Sequence, residues 1–489
     1  MTDFTDFPKQ WLVTRAPQAD VVAGHAHRFA GWHIQAAAHV PVLPIAAADG
    51  RPLGRLIGWA LRGAHFFRRG DTILLAAGET VADLYRQLGG RFVLMWTQPN
   101  GDLQVREDAS GGLPLVYSAA HQAFGSTISV LEQVADLTPD RDVQGIFDFP
   151  TNRGFLPFGL TARVGVRRLM PHHVLNTQDF SAARVWPDKS YCGTPRVNAA
   201  AVADVVAEIA QIVEDNLYAV LTRAPATLHM SGGHDCRIIL AAILRLPAEL
   251  RAKVTLETLT SDDGLDSHIA GKVAALVDMP LRVIDVPPAD GSAPVAGWLR
   301  RTGEATYDYL AHASETIVAN QTVDHALTGT GAELARGSNY APEDLDAAAL
   351  SLDVLLTRTR LPDVPVVRTA AAAWLAGLPD GIDAIMALDL CKIEQIHGCW
   401  AGAAIYGHWL DRPGIMPFSG HRITELVLSL PKDYRANNQF YRDFLMLCAP
   451  ELAAIPANKA VGLERLLFWR STAKAVMPTA LKRLVKPLR

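Results

Sequence analysis

Cysteine is scarce in this chain of 489 residues: Cys192, Cys236, Cys391, Cys399 and Cys448 are scattered, with no Cys-x-x-Cys pair. That spacing argues against a thiolate zinc site and for a reducing, cytoplasmic compartment. No apolar run is long enough to span a bilayer, so stable membrane insertion is not expected. The opening Met1-Thr2-Asp3-Phe4 has an acid and no apolar core, so a secretory signal peptide is not expected. Neither sign of charge dominates: 46 Lys and Arg against 50 Asp and Glu leave −4. Nucleic acid is therefore not an expected partner. Only the end is basic, with Arg470, Lys474, Lys482, Arg483, Lys486 and Arg489 between Leu466 and the last residue. Such a segment reads as a solvated helix face or as a contact for anionic lipid or peptide.

What is present is globular. Apolar residues make up 49% and charged residues 20%, over a length that suits two or three domains. The most informative stretch is Leu228-His229-Met230-Ser231-Gly232-Gly233-His234-Asp235-Cys236-Arg237. Ala226 to Met230 before the glycines reads as a short buried strand. Ile238 to Leu244 after them reads as a helix that ends near Pro247. The two glycines let backbone N–H groups close on an anion at a helix N-terminus. Asp235 sits in the same turn. A carboxylate in a phosphate cradle repels phosphate unless a cation bridges the two, so Mg²⁺ is implied.

Residues 1–190 read mainly as strands and turns. Trp11 to Thr14 is the first strand. Val40 to Ile45 and Leu53 to Leu61 flank the turn Asp49-Gly50-Arg51-Pro52. Arg91 to Trp96 and Leu103 to Arg106 flank Pro99-Asn100-Gly101-Asp102, a hairpin signal. Glu79 to Leu88 reads as a helix. His25, His27 and His33 lack a fourth ligand for a metal, and like His172 and His173 they read as surface or partly buried imidazoles.

Residues 195–489 alternate. Pro195 marks the entry. A long amphipathic helix spans Asn198 to Thr222, with Asn198 as its cap. Val254 to Thr260 and Leu281 to Val286 are further strands, and Asp266 to Leu276 is the helix between them. Strands alternating with helices predict a doubly wound parallel sheet, whose ligands bind at the carboxyl ends of its strands. The loops after Ser231 and Thr260 can then face one nucleotide. A P-loop is excluded, because Gly264 to Gly271-Lys272 has the wrong spacing and Val273 follows. Gly329-Thr330-Gly331 lacks the third glycine of a dinucleotide fingerprint. From Ala347 onward the chain reads as helices, the strongest being Asp389 to Trp409. Glu394 within it reads as an exposed helix carboxylate or as a catalytic acid.

Ser231-Gly232-Gly233-x-Asp235 resembles the pyrophosphate loop of the asparagine synthetase family and of related adenylating ATP pyrophosphatases. Other stretches are similar to that family as well. Leu88 to Trp96, with Gly89-Gly90-Arg91-Phe92, and Val105 to Tyr117 resemble its glutaminase half, and Gly165 to His173 its exit segment. Ala326 to Gly337 resembles its second phosphate-side motif, with Glu333 in place of a metal-binding aspartate. Met416-Pro417-Phe418 and Leu426 to Pro431 resemble a further segment, in which Ser419 stands for the usual aspartate. Ala449 to Lys459 resembles a segment that ends on a lysine facing the α-phosphate. The resemblance covers residues near 88–118, 163–173, 226–340 and 416–459.

This resemblance implies an α/β protein of two domains. Residues 1–190 would form an N-terminal Ntn-type αββα sandwich. Residues 195–489 would form a doubly wound parallel-sheet ATP-pyrophosphatase domain with a helical C-terminal part. The sandwich would be degenerate, because Thr2 stands where the family's glutaminases carry their nucleophilic cysteine and no cysteine precedes Cys192. It would serve as a lid or recognition surface. ATP and Mg²⁺ are the implied substrate and metal. Ser231, Gly232, Gly233, Asp235, Cys236, Thr260, Gly329 and Gly331 would bind ATP and pyrophosphate, and Asp235 and Glu333 the metal. Lys459 would be catalytic, with Glu394 as a second candidate. Asp266 would start the helix beside the adenine region, or be a plain helix cap.

The implied reaction is ATP-dependent amide formation. A small-molecule or peptide carboxylate is adenylated with release of pyrophosphate, and an amine displaces AMP. Without a glutaminase the amine is ammonia or belongs to the substrate, as in β-lactam synthetases and lasso-peptide cyclases. A precursor peptide is then the implied partner, and a cyclase or tailoring ligase is favoured over ammonia-dependent asparagine synthesis. Thr2, Thr330, Cys236 and Ser419 also fit a non-catalytic binding protein on a decayed synthetase scaffold. A tRNA-thiolating enzyme would need a basic face and paired cysteines, which are missing.

Overall fold

Side chains that alternate along the strands build the first half. The computed structural model describes residues 9–18, 21–148, 154–192, 196–260, 264–286, 293–307, 309–320, 325–337, 339–407 and 413–468. Thr2, Pro195 and the basic residues from Arg470 onward lie outside the described residues. Strand Pro52–Arg62 sends Ile57, Trp59 and Leu61 into one core and Leu56 and Ala60 into another. Gly89–Thr97 divides Val93 and Met95 from Phe92 and Leu94 in the same way. Each strand of this central pair is therefore apolar on both faces and must be covered twice.

One face meets a second sheet. The larger sheet runs Ser181–Arg184, His173–Asn176, Leu103–Glu107, Gly89–Thr97, Pro52–Arg62, Val42–Ala46 and Ile73–Leu74, with His65–Phe66 paired to Pro52–Arg62. The smaller sheet runs Val166–Arg168, Val116–Ser118, Ala123–Gly125, Trp11–Thr14, Trp32–Ala37 and Gly24–Phe29. Trp32 packs on Phe124 of its own sheet and on Phe180 at the turn after His173–Asn176, with centroids 5.5 and 6.2 Å away. The opposite face of the larger sheet receives Leu84 and Tyr85 of helix Val81–Gln87, whose start is fixed by the reciprocal Thr80–Asp83 capping box. Among the described residues, four-residue Ile128–Leu131 lies beside the small sheet, and Arg141–Gln144 and Lys189–Cys192 are further short helices of this half.

The second half is built on a five-stranded sheet with every pair parallel. Its order is Leu281–Ile284, Val254–Leu259, Ala226–His229, His325–Leu327 and Gly414–Ile415. The predicted helix before it is present as Val202–Leu221, led by a short 3₁₀ turn that the Asn198 side chain caps. The fifth strand was not expected: it is two residues long, directly after Pro413. Chain order reverses between Ala226–His229 and His325–Leu327, because the second and third strands lie to one side of the first and the fourth lies to the other. That reversal opens a crevice at the carboxyl ends of these two strands.

The helix expected from Asp389 begins earlier and changes form. Ala384–Cys391 is α-helical, capped by Asp383, and continues as a π-helix over Lys392–Gly402. One apolar core runs through both halves of the molecule. Polar contacts join them as well: Gly90 N–H donates to Ser419 Oγ at 2.9 Å, and the Tyr406 hydroxyl to the Pro114 carbonyl at 3.1 Å. No helix among the described residues is long and apolar enough to cross a membrane.

Candidate functional site at the strand reversal

The loop after Ala226–His229 is held from inside and outside. Gly233 N–H donates to Ser231 Oγ at 3.1 Å, which closes a tight turn. Gly232 N–H donates to Asp266 Oδ1 at 2.8 Å. A Cβ on Gly232 would lie 2.8 Å from that same oxygen, so a side chain there would displace the Asp266 carboxylate. Helix Asp235–Arg245 starts at once and points its N-terminus at the crevice.

The loop after His325–Leu327 interlocks with the first. A Cβ on Gly329 would lie 2.5 Å from both the Asp235 carbonyl carbon and the Cys236 nitrogen. Gly331 has φ +100°, a conformation that disfavours any side chain, and its α-carbon faces the Phe418 carbonyl. Its N–H donates to Glu333 Oε2 at 2.7 Å. His397 Nε2, from the π-helix, lies 3.0 Å from Glu333 Oε1. Gly331, His397, Ser419 and Ser110 line a small cavity behind Glu333, drawn from both halves of the chain.

Two carboxylates thus occupy adjacent strand ends. Burial pushes the Asp235 carboxyl above its ordinary value, and the Glu333 charge pushes it further. Against that act Arg336, whose Nη2 lies 3.0 Å from Asp235 Oδ2, and the Tyr441 hydroxyl, which donates to Asp235 Oδ1. Burial opposes ionisation of Glu333 too, yet His397 and then Lys392 hold it well below the usual carboxylate range. All four oxygens of the pair have a protein partner: Arg336 and Tyr441 on Asp235, His397 and Gly331 N–H on Glu333. These are hard oxygen donors of the kind Mg²⁺ takes when phosphate and water complete its shell. Among the described residues no group of three or more His, Cys, Asp or Glu is placed to hold a metal unaided. A divalent cation at this pair would draw its remaining ligands from outside the protein.

Lys459 reaches this place through its neighbours. Asn458 N–H donates to the Gly232 carbonyl at 2.7 Å. Arg237 is buried and donates to the carbonyls of Ile455, Pro456 and Gly232, fastening the lysine's segment to the loop. Lys459 itself is exposed. The His234 imidazole feels all the cations around it: burial lowers its pKa, and Arg237, Arg336 and Lys459 lower it more. Positive charge converges on the start of helix Asp235–Arg245.

Several expected residues are placed differently. Cys236 was expected to touch ATP. Instead its thiol is buried under the loop, near Ser231 N at 3.4 Å and Ser231 Oγ at 3.7 Å, and burial pushes its pKa up. A thiol behaves as a small apolar group and packs inward. Thr260 bonds the neighbouring strand end, donating to Asp285 Oδ1 at 3.1 Å and accepting from Val286 N–H at 2.8 Å. Asp266 is no plain cap, since Gly264 precedes the helix and the carboxylate reaches across to Gly232.

Glu394 is not an exposed carboxylate. It is fully buried, bonded to both terminal nitrogens of Arg184 and to Trp374 Nε1, with His172 Nδ1 at 3.5 Å. None of these partners belongs to the two loops, so it braces the two halves against each other. His172 is likewise buried rather than superficial. His25 Nδ1 and His27 Nε2 lie 2.6 Å apart, and His25 Nε2 faces the Val40 carbonyl at 2.9 Å.

His397, Arg336 and Tyr441 were not singled out from sequence. His397 lies in an apolar helical stretch and Tyr441 in an amphipathic one, so local pattern marks neither. In comparisons with known proteins, no family model and no curated protein matches the chain.

Proposed function

We propose that the protein is an ATP-dependent carbon–nitrogen ligase. One observation carries this reading. At the strand reversal of a parallel sheet, two interlocked glycine loops bring together Asp235, Glu333 and a helix N-terminus, with the Lys459 segment hydrogen-bonded to the first loop.

The substrate carboxylate attacks the α-phosphorus of ATP and pyrophosphate leaves, giving an acyl-adenylate. An amine then attacks the acyl carbon and AMP leaves. Backbone N–H groups of the Ser231–Asp235 turn and the helix N-terminus would hold the pyrophosphate. Lys459 would offset the negative charge that builds on the phosphates in the transition state. Mg²⁺, held by Asp235 and Glu333, would neutralise phosphate charge when bound. Gly329 and Gly331 keep the loops close. Thr260 supports the loop on the adenine side. The carboxylate is a small molecule or a peptide, and with no glutaminase the amine is free ammonia or part of the substrate. A macrolactam-forming cyclase acting on a precursor peptide, or a tailoring ligase, fits this best.

A second reading, a non-catalytic binding protein on a decayed scaffold, is favoured by one feature. Gly232 N–H and Asp235 both have internal partners, Asp266 and Arg336. The two readings separate on Mg²⁺-dependent pyrophosphate release from ATP over a panel of carboxylates and peptides. The ligase reading expects release that Asp235→Asn and Lys459→Ala each lower roughly a hundredfold. No release with any substrate, together with no ATP binding by calorimetry, would leave the binding-protein reading.

A further inference from the structure

Asp235 is a half-buried carboxylate beside a second carboxylate, and its charge is favoured by a nearby cation. Arg336 supplies it at 3.0 Å. The pair is open to solvent: the Arg336 side chain is 31% exposed and that of Asp235 27%. Arg336 directly follows the 3₁₀ turn Ala332–Ala335, the turn that carries Glu333, and its guanidinium lies between Asp235 and solvent, with Nε buried. Asp235 does not depend on it for position. Its other oxygen is held by Tyr441, whose hydroxyl is also 2.9 Å from the Ala332 carbonyl. Arg237, the other arginine of the loop, is spent on three carbonyls and cannot turn to a ligand.

A divalent cation on Asp235 would make the guanidinium redundant there. Its planar fork of donors matches phosphate oxygens, and it already stands among the cations around the loop. We propose that Arg336 exchanges partners: it neutralises Asp235 before nucleotide arrives, then moves to a phosphate of ATP when a divalent cation takes Asp235. The inference rests on the nucleotide reading above. It assigns Arg336 two opposed effects, competition with the metal and attraction of the nucleotide.

Those effects can be read separately by binding. Mn²⁺ is titrated into nucleotide-free protein and its free fraction followed by electron paramagnetic resonance. ATP with Mg²⁺ is titrated by calorimetry. Wild type, Arg336→Gln and Arg336→Lys are compared. Arg336→Gln is expected to bind Mn²⁺ several-fold tighter and MgATP roughly tenfold weaker. Arg336→Lys keeps the cation without the fork and should show both changes at smaller size. A purely structural arginine would weaken both ligands together or change neither, and either result in wild type-like folded protein overturns the exchange. A wild type that binds no ATP overturns the nucleotide reading and the exchange with it.

Discussion

Gly329 and Asp235 meet backbone to backbone: a Cβ on the glycine would lie 2.5 Å from the Asp235 carbonyl carbon and 2.8 Å from its oxygen. The contact ties the two loops of the site into one unit. Gly329→Ala must push them apart, and forced overpacking of this kind costs about 1–3 kcal/mol. The expected outcome is a modest fall in the denaturation midpoint with a much larger loss of pyrophosphate release. Equal release per folded molecule would show that the spacing of the loops is irrelevant to activity.

Asp266 holds a loop N–H that an incoming phosphate would use, and it brings a negative charge beside it. Asp266→Asn keeps an acceptor for Gly232 but removes the charge. Its MgATP dissociation constant should fall several-fold, measured by calorimetry. Weaker binding would mean that the carboxylate's grip on the loop matters more than its repulsion.

Glu394 and Arg184 form a buried pair across the two halves, and removing one partner of such a pair typically costs about 3–5 kcal/mol. Arg184→Met should therefore be strongly destabilising in urea unfolding. Arg184→Met with Glu394→Gln should recover part of the loss. Glu394→Gln should keep pyrophosphate release per folded molecule near wild type. A deep loss of release in soluble, folded Glu394→Gln would return Glu394 to the catalytic machinery.

His172 sets a pH dependence. Burial drives its pKa from 6.5 down to about 3, with Glu394 opposing and the His421 and Arg106 charges adding to the fall. The unfolded imidazole takes a proton near pH 6.5 while the native one resists until about pH 3. Stability therefore falls as pH drops through that window, by about 1.4 kcal/mol per pH unit for one proton. His172 has φ +66°, which asparagine tolerates, so His172→Asn is the suitable variant. Its stability between pH 6 and 4 should change less steeply than wild type by about one proton. An unchanged slope would show that other groups carry the acid sensitivity.

The strands and the helix around the candidate site could be read from the chain because their signals are local. Ser231 to Asp235 sits between a four-residue strand and a helix, each with its own hydrophobic pattern, and the strands at Val254 and Leu281 repeat it. The partners of those residues are a different matter. Arg336 lies 101 residues from Asp235, and Tyr441 lies 206 away. Glu394 reads as solvent-facing because most glutamates stay at the surface, and the partner that buries it, Arg184, stands 210 residues earlier. Gly414–Ile415 escaped notice because two residues show no period. The π-helix is set by tertiary packing, since Gly398 and Gly402 press against Pro171 and Gly111 of the first half.

That π-helix makes the two halves a poor pair for exchange. Within eleven residues it gives His397 to Glu333, Glu394 to Arg184, and Gln395 to the Phe158 N–H at 2.5 Å. A chimera that takes its first 190 residues from a relative would have to bring Lys392–Gly402 along with them. Otherwise the foreign partner inherits a strut cut for another wall, and the carboxylate at Glu333 loses its alignment without a single change in its own loop.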